Sequence, residues 1–137
     1  MTTANDIITA ARSQLGVKFR HQGRLPGQCL DCAGLAAYVA GQIGAEFNEW
    51  PGYGRTPYNG LLEYVLDGQP CLERVYDRQS GDILLMRFNS EPQHVAICAG
   101  DTVIHSYSEA GKVVEHDLDE VWLARIVRVY RFKGLTA

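Results

Sequence analysis

Gln93–Ala99 and Thr102–Tyr107 alternate as strands do, and only Gly100-Asp101 separates them. A glycine-first two-residue loop signals a type II′ hairpin, so the two runs should fold back on each other. The register follows: Ala99 faces Thr102, and paired residue numbers sum to 201. His94 then lies opposite Tyr107, and His105 opposite Ala96. Side chains alternate with period two, so His94, Ala96, Cys98, Val103, His105 and Tyr107 share one face. The histidines become diagonal neighbours, about 7–8 Å apart between backbones and within reach through their rings. Ala96 is small and leaves room between them.

A reactive cysteine has its own signature earlier in the chain. Gly23, Pro26 and Gly27 mark an irregular loop, and Leu35, Ala36, Val39, Ala40 and Ile43 then recur at helical spacing. Asp31 is placed to cap that helix, which puts Cys32 in its first turn. Unpaired N–H groups and the helix dipole favour a thiolate there. Such sites can bring a thiol from ~8.5 down to roughly 3.5–7.5. The bland alternative is a small buried hydrophobe. A Cys nucleophile, a His base and a third polar group orienting the base make the general recipe for covalent acyl transfer. The candidate set is Cys32 attacking, His94 taking its proton and His105 holding the far nitrogen of His94.

The remaining pattern fixes a fold class. Helices are expected from about Ala4 to Leu15, from Cys32 to Ile43-Gly44, and from Thr56-Pro57 to Asp67-Gly68. From Cys71 on the period becomes two, with strands at Leu72–Tyr76, Asp82–Phe88, Gln93–Ala99, Thr102–Tyr107, Lys112–His116 and Ile126–Phe132. A helical turn over Asp119–Ala124 separates the last two. Helices first and antiparallel strands second make an α+β fold, with N-terminal helices packed on a sheet of about five or six strands. At 137 residues, 1–137 is one domain. Trp50, Tyr53 and Tyr58, in a loop rich in Pro and Gly, either line a substrate groove or cover the core's edge. Arg125, Arg128 and Arg131 read as a solvated strand face, and His116 as an exposed strand histidine without a task.

A net charge of −3 argues against a nucleic-acid surface. Met1–Asp6 lacks a basic segment followed by an apolar one, so no signal peptide is expected. No apolar run approaches the ~20 residues that would span a membrane, so no membrane insertion is expected. Cys29 and Cys32 have Cys-x-x-Cys spacing, but a zinc site would want a second pair, and Cys71 and Cys98 stand alone. A redox motif would follow the first strand of a βαβ unit, whereas a helix and a loop precede this one. A Cys29–Cys32 disulfide would switch the nucleophile off.

Asp31-Cys32-Ala33-Gly34-Leu35, Gly81-Asp82-Ile83-Leu84, His94-Val95-Ala96-Ile97 and Ile104-His105-Ser106 occur in that order. The ordered set resembles the NlpC family of papain-like cysteine peptidases. The resemblance implies a papain-like fold, catalytic Cys32, His94 and His105, and no metal or other cofactor. Phe19-Arg20-His21-Gln22, Asp82–Phe88 and Arg128-Val129-Tyr130-Arg131-Phe132 resemble more narrowly the subgroup encoded among tail genes of bacteriophages and gene transfer agents. That implies a peptidoglycan endopeptidase cutting the amide between D-γ-glutamate and a diamino acid of the stem peptide. Its partners would be hub proteins of the tail tip or baseplate. It would be made in the host cytoplasm and carried on the virion to the host wall and periplasm.

Two departures bear on activity. The family commonly has a Tyr before the nucleophile whose hydroxyl helps bind the oxyanion; the counterpart here is Phe19, and His21 or a backbone N–H would have to substitute. Ala33 replaces the usual Ser. Asp31 and Tyr107 complete the residues expected near substrate or oxyanion. The rival expectations are a structural tail-tip protein that lost activity, and a cytoplasmic cysteine amidase or acyltransferase on the same fold.

Overall fold

The computed structural model describes residues 2–48, 61–88 and 92–136. Trp50, Tyr53, Tyr58 and the expected helix start at Thr56-Pro57 lie outside them. Helix α1 spans Ala4–Arg12, opened by a capping box in which Thr3 and Asp6 bond each other's backbone N–H. It stops before Leu15, which is 43% exposed and not part of its buried stripe of Ile7, Ile8 and Ala11. Three two-residue strands follow: β1 Lys18–Phe19, β2 Arg24–Leu25 and β3 Cys29–Leu30. Helix α2 spans Cys32–Gln42, with Asp31 as its N-cap, and α3 spans Leu61–Asp67.

The later strands stand where the period-two pattern puts them. They are β4 Leu72–Val75, β5 Ile83–Arg87, β6 Pro92–Cys98, β7 Thr102–Tyr107 and β8 Lys112–Asp117. The short helix α4, Glu120–Leu123, and β9, Ile126–Phe132, complete the chain. Among the described residues one sheet has nine strands, ordered β2-β3-β1-β8-β7-β6-β5-β9-β4. The expected five or six is therefore too few. The three additions all lie in the loop before the nucleophile. Strands of two residues, set among Gly and Pro, leave no alternation to read.

Helices α1 and α2 bury Ile7, Ala11, Leu35, Val39 and Ala40 against one sheet face, with Ile83, Leu85, Val95, Ile97 and Ile104. The opposite face gathers Leu84, Met86, Ala96, Cys98, Val103 and Leu118, with Trp122 packed against it. This split is the odd-even parity expected for the hairpin. The ladder pairs Ile97 with Ile104 and Cys98 with Val103, both on the 201 sum, and Gly100 turns the chain at φ +79°. The ladder goes no further: His94–Tyr107 and Ala96–His105 are not paired in it.

The three arginines near the end are not a solvated face. Arg131 makes a two-pronged bond to fully buried Asp82, Nε to Oδ1 and Nη2 to Oδ2, each 2.9 Å. Arg128 bridges to Glu63 at 3.2 Å and Asp67 at 2.8 Å, while the Tyr130 hydroxyl donates to Asp67 at 2.6 Å. Together these fasten α3 to β9. Arg125 stacks at the site described next.

Candidate active site

The nucleophile segment is held from three sides. Asp31, 3% exposed, accepts from the Gly34 N–H (2.7 Å) and Arg24 Nη1 (2.8 Å) through Oδ1, and from the Gln22 N–H (2.9 Å) through Oδ2. Its carboxylate is thus committed to capping α2 and clamping the preceding loop. Gly34 is required by proximity, since a Cβ there would stand 2.2 Å from the Gly23 carbonyl oxygen. From the sheet, the buried Ser106 hydroxyl donates to the Leu30 carbonyl at 2.6 Å. That bond ties the strand carrying His105 to the residue two before Cys32.

Cys32 is a half-buried free thiol at the start of α2. The N–H groups of Val95 and Ala33 face its sulfur. Because the β6–β7 ladder ends at Ile97–Ile104, the segment of β6 next to His94 can receive the nucleophile. The expected low thiol pKa is not found. Burial first, and then the neighbouring Asp31 carboxylate, push the Cys32 thiol up to about 12 against the pull of those N–H groups and Arg24. Loss of water and an adjacent anion outweigh the helix start.

Both histidines are buried, His94 at 4% exposure and His105 at 0%. His94 Nε2 lies 2.6 Å from His105 Nδ1. Burial, then His105 and Arg125, hold His94 well below its usual pKa; burial and His116 lower His105 to about 3. The resting site is therefore a neutral thiol beside neutral imidazoles.

An aromatic shell surrounds the rings. Tyr107 stacks on His105 at 5.1 Å and 17°, Phe88 tilts against His94 at 5.0 Å, and Trp122 meets His105 edge-on at 5.1 Å. The Arg125 guanidinium lies over both Phe88 (4.8 Å) and Trp122 (4.9 Å). His116 is not idle at the surface: it is half-buried, and its Nε2 is 2.8 Å from His105 Nε2. It was findable. In the β7–β8 ladder Val103 pairs with His116 and His105 with Val114, so parity puts His116 on the catalytic face. Continuing the hairpin's pairing through the next turn would have shown it. Phe88, Trp122 and Arg125 carried no comparable signal.

The expected catalytic residues Cys32, His94 and His105 thus gather on adjoining elements. Of the others, Phe19 pairs alongside Leu30 and its N–H donates to the Gly111 carbonyl at 2.9 Å. His21 lies on the turn that the Asp31 clamp holds, and the Tyr107 hydroxyl donates to Glu109 at 2.9 Å.

Residues 16–131 match the NlpC/P60 family. The chain belongs to that family. It has the α+β fold of that family. Among solved structures, NlpC1 from Trichomonas vaginalis superposes with a TM-score of 0.69 at 18% identity, covering 94% of this chain and 44% of that one. The NlpC/P60 domain of the peptidoglycan hydrolase SagA gives 0.67 at 21% identity, covering 93% and 97%. The peptidoglycan hydrolase RipB from Mycobacterium tuberculosis gives 0.63 at 18% identity, covering 98% and 65%. The chain thus spans less than half of NlpC1 but nearly all of the SagA domain. A search of curated protein sequences finds no significant match.

The neutral histidines make stability depend on pH. In the unfolded NlpC/P60 chain each ring protonates near 6.5, whereas in the folded one His105 resists protonation down to about 3 and His94 is likewise depressed. The unfolded state therefore binds more protons below 6.5, and stability falls on acidification. Each ring contributes a slope of up to about 1.4 kcal/mol per pH unit. Urea titrations at about pH 7, 6 and 5 should show the decline, and His105→Asn should shed part of it.

Proposed function

We propose that this chain hydrolyses an amide of the peptidoglycan stem peptide, with Cys32 as nucleophile, His94 as base and His105 as its orienting group. The observation that carries the reading is the 2.6 Å His94–His105 contact on the strand whose Val95 N–H faces the Cys32 sulfur. Neither catalytic group is charged at rest, so proton transfer must accompany attack. The thiol proton passes to His94 as sulfur bonds the scissile carbonyl carbon. The backbone N–H of Cys32 at the helix start receives the developing oxyanion, a role Phe19 has no hydroxyl to share. Collapse expels the amine, which takes the proton from His94, and leaves a thioester that water hydrolyses.

The finer reading is a peptidase of a phage-type tail tip that cuts after D-γ-glutamate and acts at the host wall, with hub proteins as partners. It is supported by the likeness of the Phe19–Gln22, Asp82–Phe88 and Arg128–Phe132 segments to that subgroup. Phe19 in place of the usual Tyr favours a second reading, a structural tail-tip protein of weak activity.

The test is digestion of diaminopimelate-type muropeptides by wild type and Cys32→Ala, read by mass spectrometry. Cleavage after γ-D-glutamate by the wild type alone is expected. A folded wild type that leaves these peptides intact would remove the proposal and favour the structural reading. Binding to isolated tail hubs tests the finer one.

A further inference from the structure

We propose that His116 is a positioning residue of the catalytic site, fixing through His105 which nitrogen of His94 can take the thiol proton. The proposal rests on reading Cys32 and His94 as nucleophile and base.

An ionised carboxylate orienter presents only acceptors to the base and leaves no choice of tautomer. A histidine orienter does leave one, because neutral imidazole donates from one nitrogen and accepts at the other. His105 alone could accept from His94 Nε2, freeing Nδ1, or donate to it, forcing the proton onto Nδ1. Only the first arrangement leaves His94 a lone pair at the nitrogen remaining for the thiol.

The outermost ring removes this ambiguity. His116 Nδ1 lies 2.9 Å from the carbonyl oxygen of Asp117. A carbonyl only accepts, so Nδ1 carries a proton, and when it is the ring's single proton Nε2 holds a lone pair. That lone pair faces His105 Nε2 at 2.8 Å, so His105 donates from Nε2 and keeps Nδ1 bare. Nδ1 in turn is 2.6 Å from His94 Nε2, which must donate. His94 is left with its lone pair on Nδ1. One backbone carbonyl, relayed through two rings, sets the base.

The contacts also hold the rings to this chain. Trp122 packs against both His116 (4.8 Å) and His105 (5.1 Å), and Tyr107 stacks on the latter at 5.1 Å. His105 and His116 are diagonal neighbours across the β7–β8 ladder, where His105 pairs with Val114 and Val103 with His116.

The test replaces His116 by an acceptor, His116→Glu, and by a donor, His116→Lys. A carboxylate at this position can only accept from His105, and an ammonium can only donate to it. The Glu variant should preserve the tautomers, with kcat within about tenfold of wild type. The Lys variant should turn both inner rings over and protonate His94 on Nδ1. The expected loss is on the order of 10⁴ in kcat, the size associated with a wrong histidine tautomer in a catalytic triad, with KM little changed. Long-range proton–nitrogen correlation spectra of ring-labelled wild type should show His105 and His94 protonated at Nε2, and the Lys variant should show Nδ1. Equal activities of the Glu and Lys variants beside an active wild type, or a wild-type His105 protonated at Nδ1, would overturn the proposal. The spectra need no substrate. If the wild type proves inactive while its tautomers are as assigned, the peptidase reading fails and takes the positioning role with it, and only the tautomer relay survives.

Discussion

Cys32→Ala and His94→Ala should each abolish stem-peptide cleavage, with losses on the order of 10⁴ or more in kcat and little change in fold. The double variant should be no worse than either single one, because the two groups act as a unit. The size of the loss follows from the resting charges. With the thiol pushed up to about 12, almost no thiolate exists near neutrality unless a base draws the proton away. His94 is that base, and burial with Arg125 nearby keeps its ring free to accept. At neutral pH iodoacetamide should therefore label Cys32 slowly in His94→Ala. Burst kinetics on a chromogenic ester, compared between wild type and the variants, would report acylation directly.

Arg131→Ala should destabilise the fold by about 3–5 kcal/mol, the range for stripping the partner from a buried ion pair. Asp82 has no exposure, whereas the Arg131 side chain is 20% exposed. The two ends of this bond are therefore unequal, and losing the arginine leaves the costlier orphan. The Asp82 carboxylate keeps one bond, from the Gln79 N–H at 2.7 Å, which is not enough to stand for bulk water. Replacing both partners by apolar residues, Asp82→Leu with Arg131→Met, should recover much of the loss. Urea midpoints of the two variants check this. Equal destabilisation by the single and double changes would mean the pair contributes through shape and not charge.

The parts of this molecule that could be read from its sequence are those encoded by repetition. The strands after Cys71 run long enough as apolar or alternating stretches to be seen, and β7 and β9 have the expected bounds. The Gly100 turn fixed the hairpin sum at 201 and so the face shared by His94 and His105. What could not be read depends on partners distant in sequence. Strands β1 to β3 exist because they pair with one another and β1 joins β8, with the Asp31 clamp holding the loop between them. Arg131 looks like any surface arginine until the fold buries Asp82 beneath it. The Cys32 thiol was expected to be acidic from its helix position, but the burial and the adjoining anion that raise it are properties of the assembled site.

The neutral thiol has a further consequence for durability. Peroxide and disulfides react with thiolate, and climbing from thiol to sulfenic acid begins there. A nucleophile kept protonated until a substrate is seated offers oxidants little to attack. The resting enzyme should therefore survive exposure to air and peroxide that would silence a thiolate–imidazolium pair, a tolerance that would suit the proposed work at a host wall.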